Sequence, residues 1–207
     1  MKPANFCKTK YQVWDSEVRR GSMDHLSGPK SEKREDHFAM RSFVWGMIVG
    51  VCLLCLLVFG YFLAGQAPVA TDAPPMPFEK YLAKKALHKA LDREMPHSVP
   101  IPTDESNYMA GAQVYKEDCA VCHGLPGKPD TAIAKGMFPK PPQLLHGKGV
   151  TDDPAEETYW KVIHGIRLTG MPGFKGNLSD TQAWQVSVLL ANADKLPDSV
   201  KTALSNP

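Results

Sequence analysis

A chain of 207 residues with 24 Lys/Arg, 22 Asp/Glu and a net charge of +2 has room for one ordinary domain or two small ones. It lacks the basic excess that nucleic-acid binding needs, and it carries no carboxylate pair, nucleophile triad or phosphate loop that would mark an enzyme acting on a small-molecule substrate. The charge is unevenly laid out: residues 1–42 hold nine Lys/Arg and six Asp/Glu, residues 43–67 hold none, and the rest hold fifteen and sixteen.

Residues 1–42 are polar and aperiodic, with Gly28-Pro29 and dense charge from Lys30 to His37, and are read as a largely disordered tail. Residues 43–64 follow as a transmembrane helix. The uncharged run Phe43 to Leu63 reaches about 31 Å at 1.5 Å per residue, the hydrocarbon thickness of a bilayer. Phe43, Trp45 and Tyr61 lie near its ends, where interfacial aromatics are expected. A cleavable signal would have a short charged leader, whereas about forty polar residues precede this run, so an uncut anchor is expected. Lys33, Arg34 and Arg41 flank the near side, and Lys80 is the first cation beyond the far side. The positive-inside tendency then keeps the N-terminus cytoplasmic and exports everything after Ala64, giving a single-pass protein of the inner membrane.

Residues 65–105 form a tether. Its first part, GQAPVATDAPPMP, is Pro/Ala-rich and semi-extended. From Phe78 to Glu94 apolar residues recur on one helical face while Lys80, Lys84, Lys85 and Lys89 occupy others, predicting a basic amphipathic helix. Such a helix is a spacer, a contact for anionic lipid headgroups, or a docking element for a partner subunit.

Residues 106–207 are expected to be an all-α domain with long loops. One helix spans about Asn107 to Cys119. A second starts with Asp153 as N-cap, Pro154 as first helical residue and Glu156 completing a capping box, and ends at Gly165. A third starts at Ser179 with Gln182 three residues on, carries Trp184, Val188 and Leu189 on one side, and stops near Pro197. The intervening GLPGKPDTAIAKGMFPKPPQLLHGKG is too poor in alternation for strands.

The chemistry concentrates in Cys119-Ala-Val-Cys122-His123, the C-x-x-C-H pattern of covalent haem attachment. Two intervening residues let both sulfurs reach one edge of a porphyrin, and the adjacent imidazole then lies beneath the iron. A zinc site would need two further paired ligands, and a thioredoxin-like pair would sit beside a βαβ pattern; neither is present. A disulfide between the two cysteines leaves the histidine unexplained. Cys7 falls in the tail and Cys52 and Cys55 in the apolar run, where Leu56 follows the second cysteine, so only Cys119 and Cys122 are exported. One covalent haem c is therefore expected. For the sixth iron ligand Met171, Met137, His146 and His164 compete. Met171, framed by Gly170 and Pro172 in a rigid loop, is preferred, making His123 and Met171 the metal ligands. Arg167 is a candidate propionate partner or a surface residue, and Tyr159 and Trp160 are candidate core.

These residues carry a resemblance. With Gly111-x-x-x-Tyr115 ahead of C-x-x-C-H-G, Gly170-Met171-Pro172 downstream and Trp184 on the last helix, the chain from about Asn107 is similar to class I cytochromes c. It is most similar to the bacterial type serving as haem-carrying third subunit of respiratory oxidases. The resemblance implies that Gly111 and Tyr115 meet the Trp184–Leu189 face, and that a proline carbonyl after the histidine, of Pro126 or Pro129, accepts the imidazole N–H. It also implies an electron carrier rather than an enzyme. Its donor and acceptor would be respiratory or photosynthetic membrane complexes on the periplasmic side. The alternative is a permanently docked electron-entry subunit of a terminal oxidase or quinol-oxidising complex.

Overall fold

The computed structural model describes residues 32–128, 131–145 and 153–206, with side chains from Phe38 onward. The chain divides into two compact units between Ala67 and Pro68.

In the first unit a single helix, α1, runs Glu32–Leu63. It begins eleven residues before the expected start, so residues 32–42 are helical; the earlier part of the tail lies outside the described residues. From Phe38 to Leu63, 26 residues long, the helix is apolar enough to cross a bilayer, and every one of those residues is exposed. A helix apolar all round and exposed along this whole length is suited to lipid.

The second unit is helical throughout its described residues, with α2 (Glu79–Glu94), α3 (Glu105–Val114), a π-helical turn (Tyr115–Cys119), α4 (Ala120–His123), α5 (Ala132–Lys135), α6 (Ala155–His164), α7 (Asp180–Ala191) and α8 (Asp198–Ser205). No strands occur among the described residues, only isolated bridges at Leu125–Lys128 and Lys175–Leu178. The all-α expectation holds. The basic helix α2 belongs to this unit rather than to a free tether, since its C-terminal end packs on α6 and Leu91 is buried.

The core is built around α7, which packs on both α3 and α6. Trp184, Val186, Val188, Leu189 and Leu190 are all buried, so this helix is enclosed on every side rather than on the single face read from its sequence. The crossing with α3 depends on Gly111. A Cβ there would stand 2.3 Å from the Gln185 carbonyl oxygen and 3.1 Å from the Leu189 Cβ, so only glycine allows the two backbones this close. The contact expected of Gly111 is thus present. Met109, on the same helix, is exposed.

Of the two expected capping boxes, one is present and one is not. Ser179 accepts from the Gln182 N–H at 3.2 Å while Gln182 accepts from the Ser179 N–H at 3.0 Å, a reciprocal capping box. Ser179→Ala is expected to lower unfolding free energy by about 1 kcal/mol in chemical denaturation. The second helix differs. Pro154 is its N-cap with no side-chain cap bond, and no box forms with Glu156. Asp153 instead pairs with the Lys161 ammonium at 2.9 Å, where Glu157 joins at 2.6 Å. Burial disfavours the charged lysine, but the two carboxylates outweigh it and raise its pKa. The competing partner, one helical turn pair further along, explains the lost cap.

Two helices went unread. α5 is a single turn inside the long Gly/Pro-rich connection, started by Thr131, whose hydroxyl accepts from the Ala134 N–H at 3.0 Å. α8 follows Pro197, which caps it rather than ending α7; α7 stops at Ala191. Val200 and Leu204 of α8 are buried against the core. Lys116 donates to the Asn206 carbonyl at 2.6 Å, a cation at the helix C-terminus where the dipole favours it.

Candidate functional site

The π-helical turn precedes the attachment motif directly. It holds one residue more per turn than an α-helix, so the residues after it are rotated away from the register a continuous helix to Cys119 would give. Its first residue, Tyr115, is fully buried, and its hydroxyl donates to the Gly124 carbonyl at 2.7 Å. That bond ties the start of the turn to the residue just after the motif. Gly124 adopts φ 77°, which reverses the chain after His123.

Cys119 closes the π turn, and Cys122 and His123 share the single turn of α4, so all three functional side chains lie within five residues of helical backbone. Cys119 is buried and Cys122 half-buried, with no disulfide between them. Burial pushes the Cys119 thiol up to about 12, with Asp118 and Cys122 adding to the shift.

His123 is half-buried, and desolvation lowers its pKa against the opposing pull of a carbonyl acceptor. That acceptor is Pro142, whose oxygen lies 2.8 Å from Nδ1. Because a carbonyl only accepts, Nδ1 must carry the proton, and the neutral ring presents a bare Nε2 lone pair. Pro142 takes the place expected of Pro126; Pro129, the other candidate, lies outside the described residues. The loop returns to the ring nineteen residues downstream of it, where Gln143 also donates to the His123 carbonyl.

Met171 sits half-buried in a loop closed at both ends. Its N–H donates to the Thr169 hydroxyl at 3.1 Å, and its carbonyl accepts from the Ile166 N–H at 3.2 Å. The Thr169 hydroxyl in turn donates to the Ile166 carbonyl at 2.7 Å. At the base, Phe174 N–H donates to the Val162 carbonyl at 2.9 Å, fastening the returning chain to α6. Gly165, at φ 66°, would bring a Cβ within 2.5 Å of the Gly173 nitrogen, so the loop closes too tightly for any side chain there. Gly170 meets Met137: a Cβ at that position would overlap the Met137 Cε at 1.8 Å.

The other candidates divide. Met137 lies beside Gly170, next to the preferred ligand. His164 is exposed and tilted on Trp160 at 4.8 Å; His146 lies outside the described residues. Arg167 is exposed. Tyr159 stacks on Trp184 at 4.0 Å and donates to Asp180, a core role. The buried Trp160 indole N–H lies near the Glu94 carboxylate, whose pKa it helps to lower, without a hydrogen bond of good geometry.

The donor set fits a covalently held porphyrin iron. Two sulfurs and an imidazole whose Nδ1 is already engaged share one short stretch, and among the described residues no group of three His, Cys, Asp or Glu side chains is placed to hold a bare metal ion.

Comparisons with known proteins agree. A family model described as cytochrome c oxidase, cbb3-type, subunit III matches residues 106–190. Cytochrome c6 of Limnospira maxima is 31% identical over 83 residues, covering 40% of this chain and 89% of that protein. Thiosulfate dehydrogenase of Stutzerimonas stutzeri is 26% identical over 144 residues, which is 69% of this chain but 40% of the dehydrogenase. Among solved structures, a chain of the Kuenenia stuttgartiensis reducing HAO-like protein complex aligns at 25% identity with a TM-score of 0.41, over 51% of this chain and 54% of that one.

Proposed function

Since the chain belongs to the c-type cytochromes and so carries haem c covalently for electron transfer, we propose that His123 and Met171 are its axial ligands and that it carries single electrons between membrane redox complexes. Cys119 and Cys122 would hold the group by thioether bonds. When bound, the group supplies a one-electron couple at iron. The observation that carries this reading is a pair of held residues: the His123 ring oriented by the Pro142 carbonyl, and the Met171 backbone held through both of its polar groups. A ligand fixed by its own backbone loses little freedom on coordinating, which keeps the sixth position closed. With both positions taken, no vacancy remains for dioxygen or peroxide, and a His/Met pair raises the potential.

The membrane-anchored domain would face the periplasm, with the N-terminus cytoplasmic, as the basic flank before α1 favours. Residues 64–78 then act as the leash. Fully extended they reach about 50 Å, and as a flexible coil they average about 20 Å, so the domain stays concentrated near membrane partners.

The test is Met171→Ala. The far-red sulfur-to-iron band of the oxidised protein is expected to vanish and the reduced protein to bind carbon monoxide rapidly. Survival of the band would remove Met171 as ligand. A second reading, a fixed electron-entry subunit, is favoured by the match to an oxidase subunit family. Stoichiometric co-purification with one complex in mild detergent would select it; a free species would select the carrier. The dehydrogenase relative adds an enzymatic reading, and thiosulfate-dependent reduction of the haem in the isolated protein would select that.

A further inference from the structure

Helix α2 is divided in its chemistry. In the C-terminal half the charges neutralise one another: Lys89 pairs with Asp92 at 3.0 Å and Arg93 with Glu94 at 2.5 Å, while Leu91 is buried where this end packs on α6. The N-terminal half is different. Its one acid, Glu79, is used locally, accepting from the Met76 N–H at 2.8 Å. Lys84 and Lys85 form no ion pair among the described residues. Interleaved with them are three large apolar side chains facing solvent: Phe78, Tyr81 and Leu82, at 75%, 65% and 61% exposure.

Phe78 adds a second observation. It holds φ 63°, a left-handed conformation that is an outlier for a bulky residue, and yet its ring is packed against nothing that would repay the strain. The backbone is bent so as to present an aromatic ring outward. Free ammonium groups beside exposed aromatic and aliphatic side chains are the composition of an interfacial helix, complementary to anionic headgroups over acyl chains.

We propose that the first turns of α2, Phe78 to Lys85, rest on an anionic lipid surface. The source of that surface is fixed by the chain itself. Helix α1 is apolar and long enough to span a bilayer, and only residues 64–78 separate it from α2. A leash averaging about 20 Å keeps these lysines close to a charged surface whose field decays over about 8 Å at physiological salt. Contact at this end limits the orientations the domain samples above the membrane, because the other end of α2 is fixed to α6.

The full chain, holding its haem, is placed in nanodiscs of phosphatidylcholine with or without phosphatidylglycerol and footprinted with hydroxyl radicals. Oxidation of Phe78, Tyr81 and Leu82 is expected to fall severalfold in the anionic discs and to recover at high salt, with half-buried Tyr108 unchanged. Lys84→Gln and Lys85→Gln should each weaken the contact about fivefold. Equal labelling in the two lipids overturns the proposal. So does protection that appears only when a redox partner complex is added, which would make this a protein-docking face. The wild-type comparison needs no variant to fold, and it stands or falls independently of the axial-ligand assignment.

Discussion

Replacing Cys119 and Cys122 together with alanine is expected to give a protein without bound haem, even when made alongside haem-attachment machinery. The second unit will then be loosely packed. The reason lies in where the motif sits. Cys119 is part of the same buried cluster as Tyr115, Leu189 and Val200, so the attached group is bonded into the core rather than laid against its surface. A domain of this size buries too little of its own surface to be stable by a wide margin, and a prosthetic group bonded within it contributes a large share of the apolar contact. Haem staining after denaturing electrophoresis, intact mass, and near-ultraviolet circular dichroism would each report the change. Retention of a denaturation-resistant haem in the double variant would show that these cysteines do not carry it.

Gly111→Ala should be the most damaging single-methyl substitution in the domain. The added carbon would meet the Gln185 carbonyl oxygen at 2.3 Å and its carbon at 2.7 Å. Both are backbone atoms of α7, a helix buried on all sides, so no side-chain rotation can relieve the overlap. The two helices must separate, opening space around Leu189. Overpacking a core usually costs 1–3 kcal/mol, and a backbone-to-backbone clash belongs at the upper end, so a loss of about 3 kcal/mol is expected. For a domain of about 100 residues that lowers Tm by more than about 10 °C. Gly136→Ala is the control: its Cβ would meet only the Ile133 carbonyl, at 3.8 Å. Equal stability of the two variants would mean that α3 and α7 do not cross as closely as described.

The features legible in the sequence were those written in neighbouring residues. The C-x-x-C-H motif, the Ser179–Gln182 box and the apolar run ending at Leu63 each need only a few positions, and each is found in the structure where the sequence places it. What escaped depended on distant chain. Nothing local marks Pro142 as the acceptor for His123, because the pairing exists only once the loop has folded back. Asp153 looks like a cap until Lys161, two turns away, claims its carboxylate. The π turn leaves no composition of its own, and Pro197 reads equally as the end of one helix or the start of the next. The contact between Gly170 and the Met137 side chain is likewise between residues far apart in the chain.

Residues 137–142 amount to one short strap with a foot on each side of the expected ligand pair: Met137 against Gly170, and the Pro142 carbonyl on His123. The two ligands are therefore not mechanically independent. A displacement of this strap would alter the hydrogen bond that sets imidazole basicity and, in the same movement, the packing that seats the thioether loop. Substitutions along it would be felt at both ligands together, so their effects on redox behaviour would not separate into proximal and distal contributions.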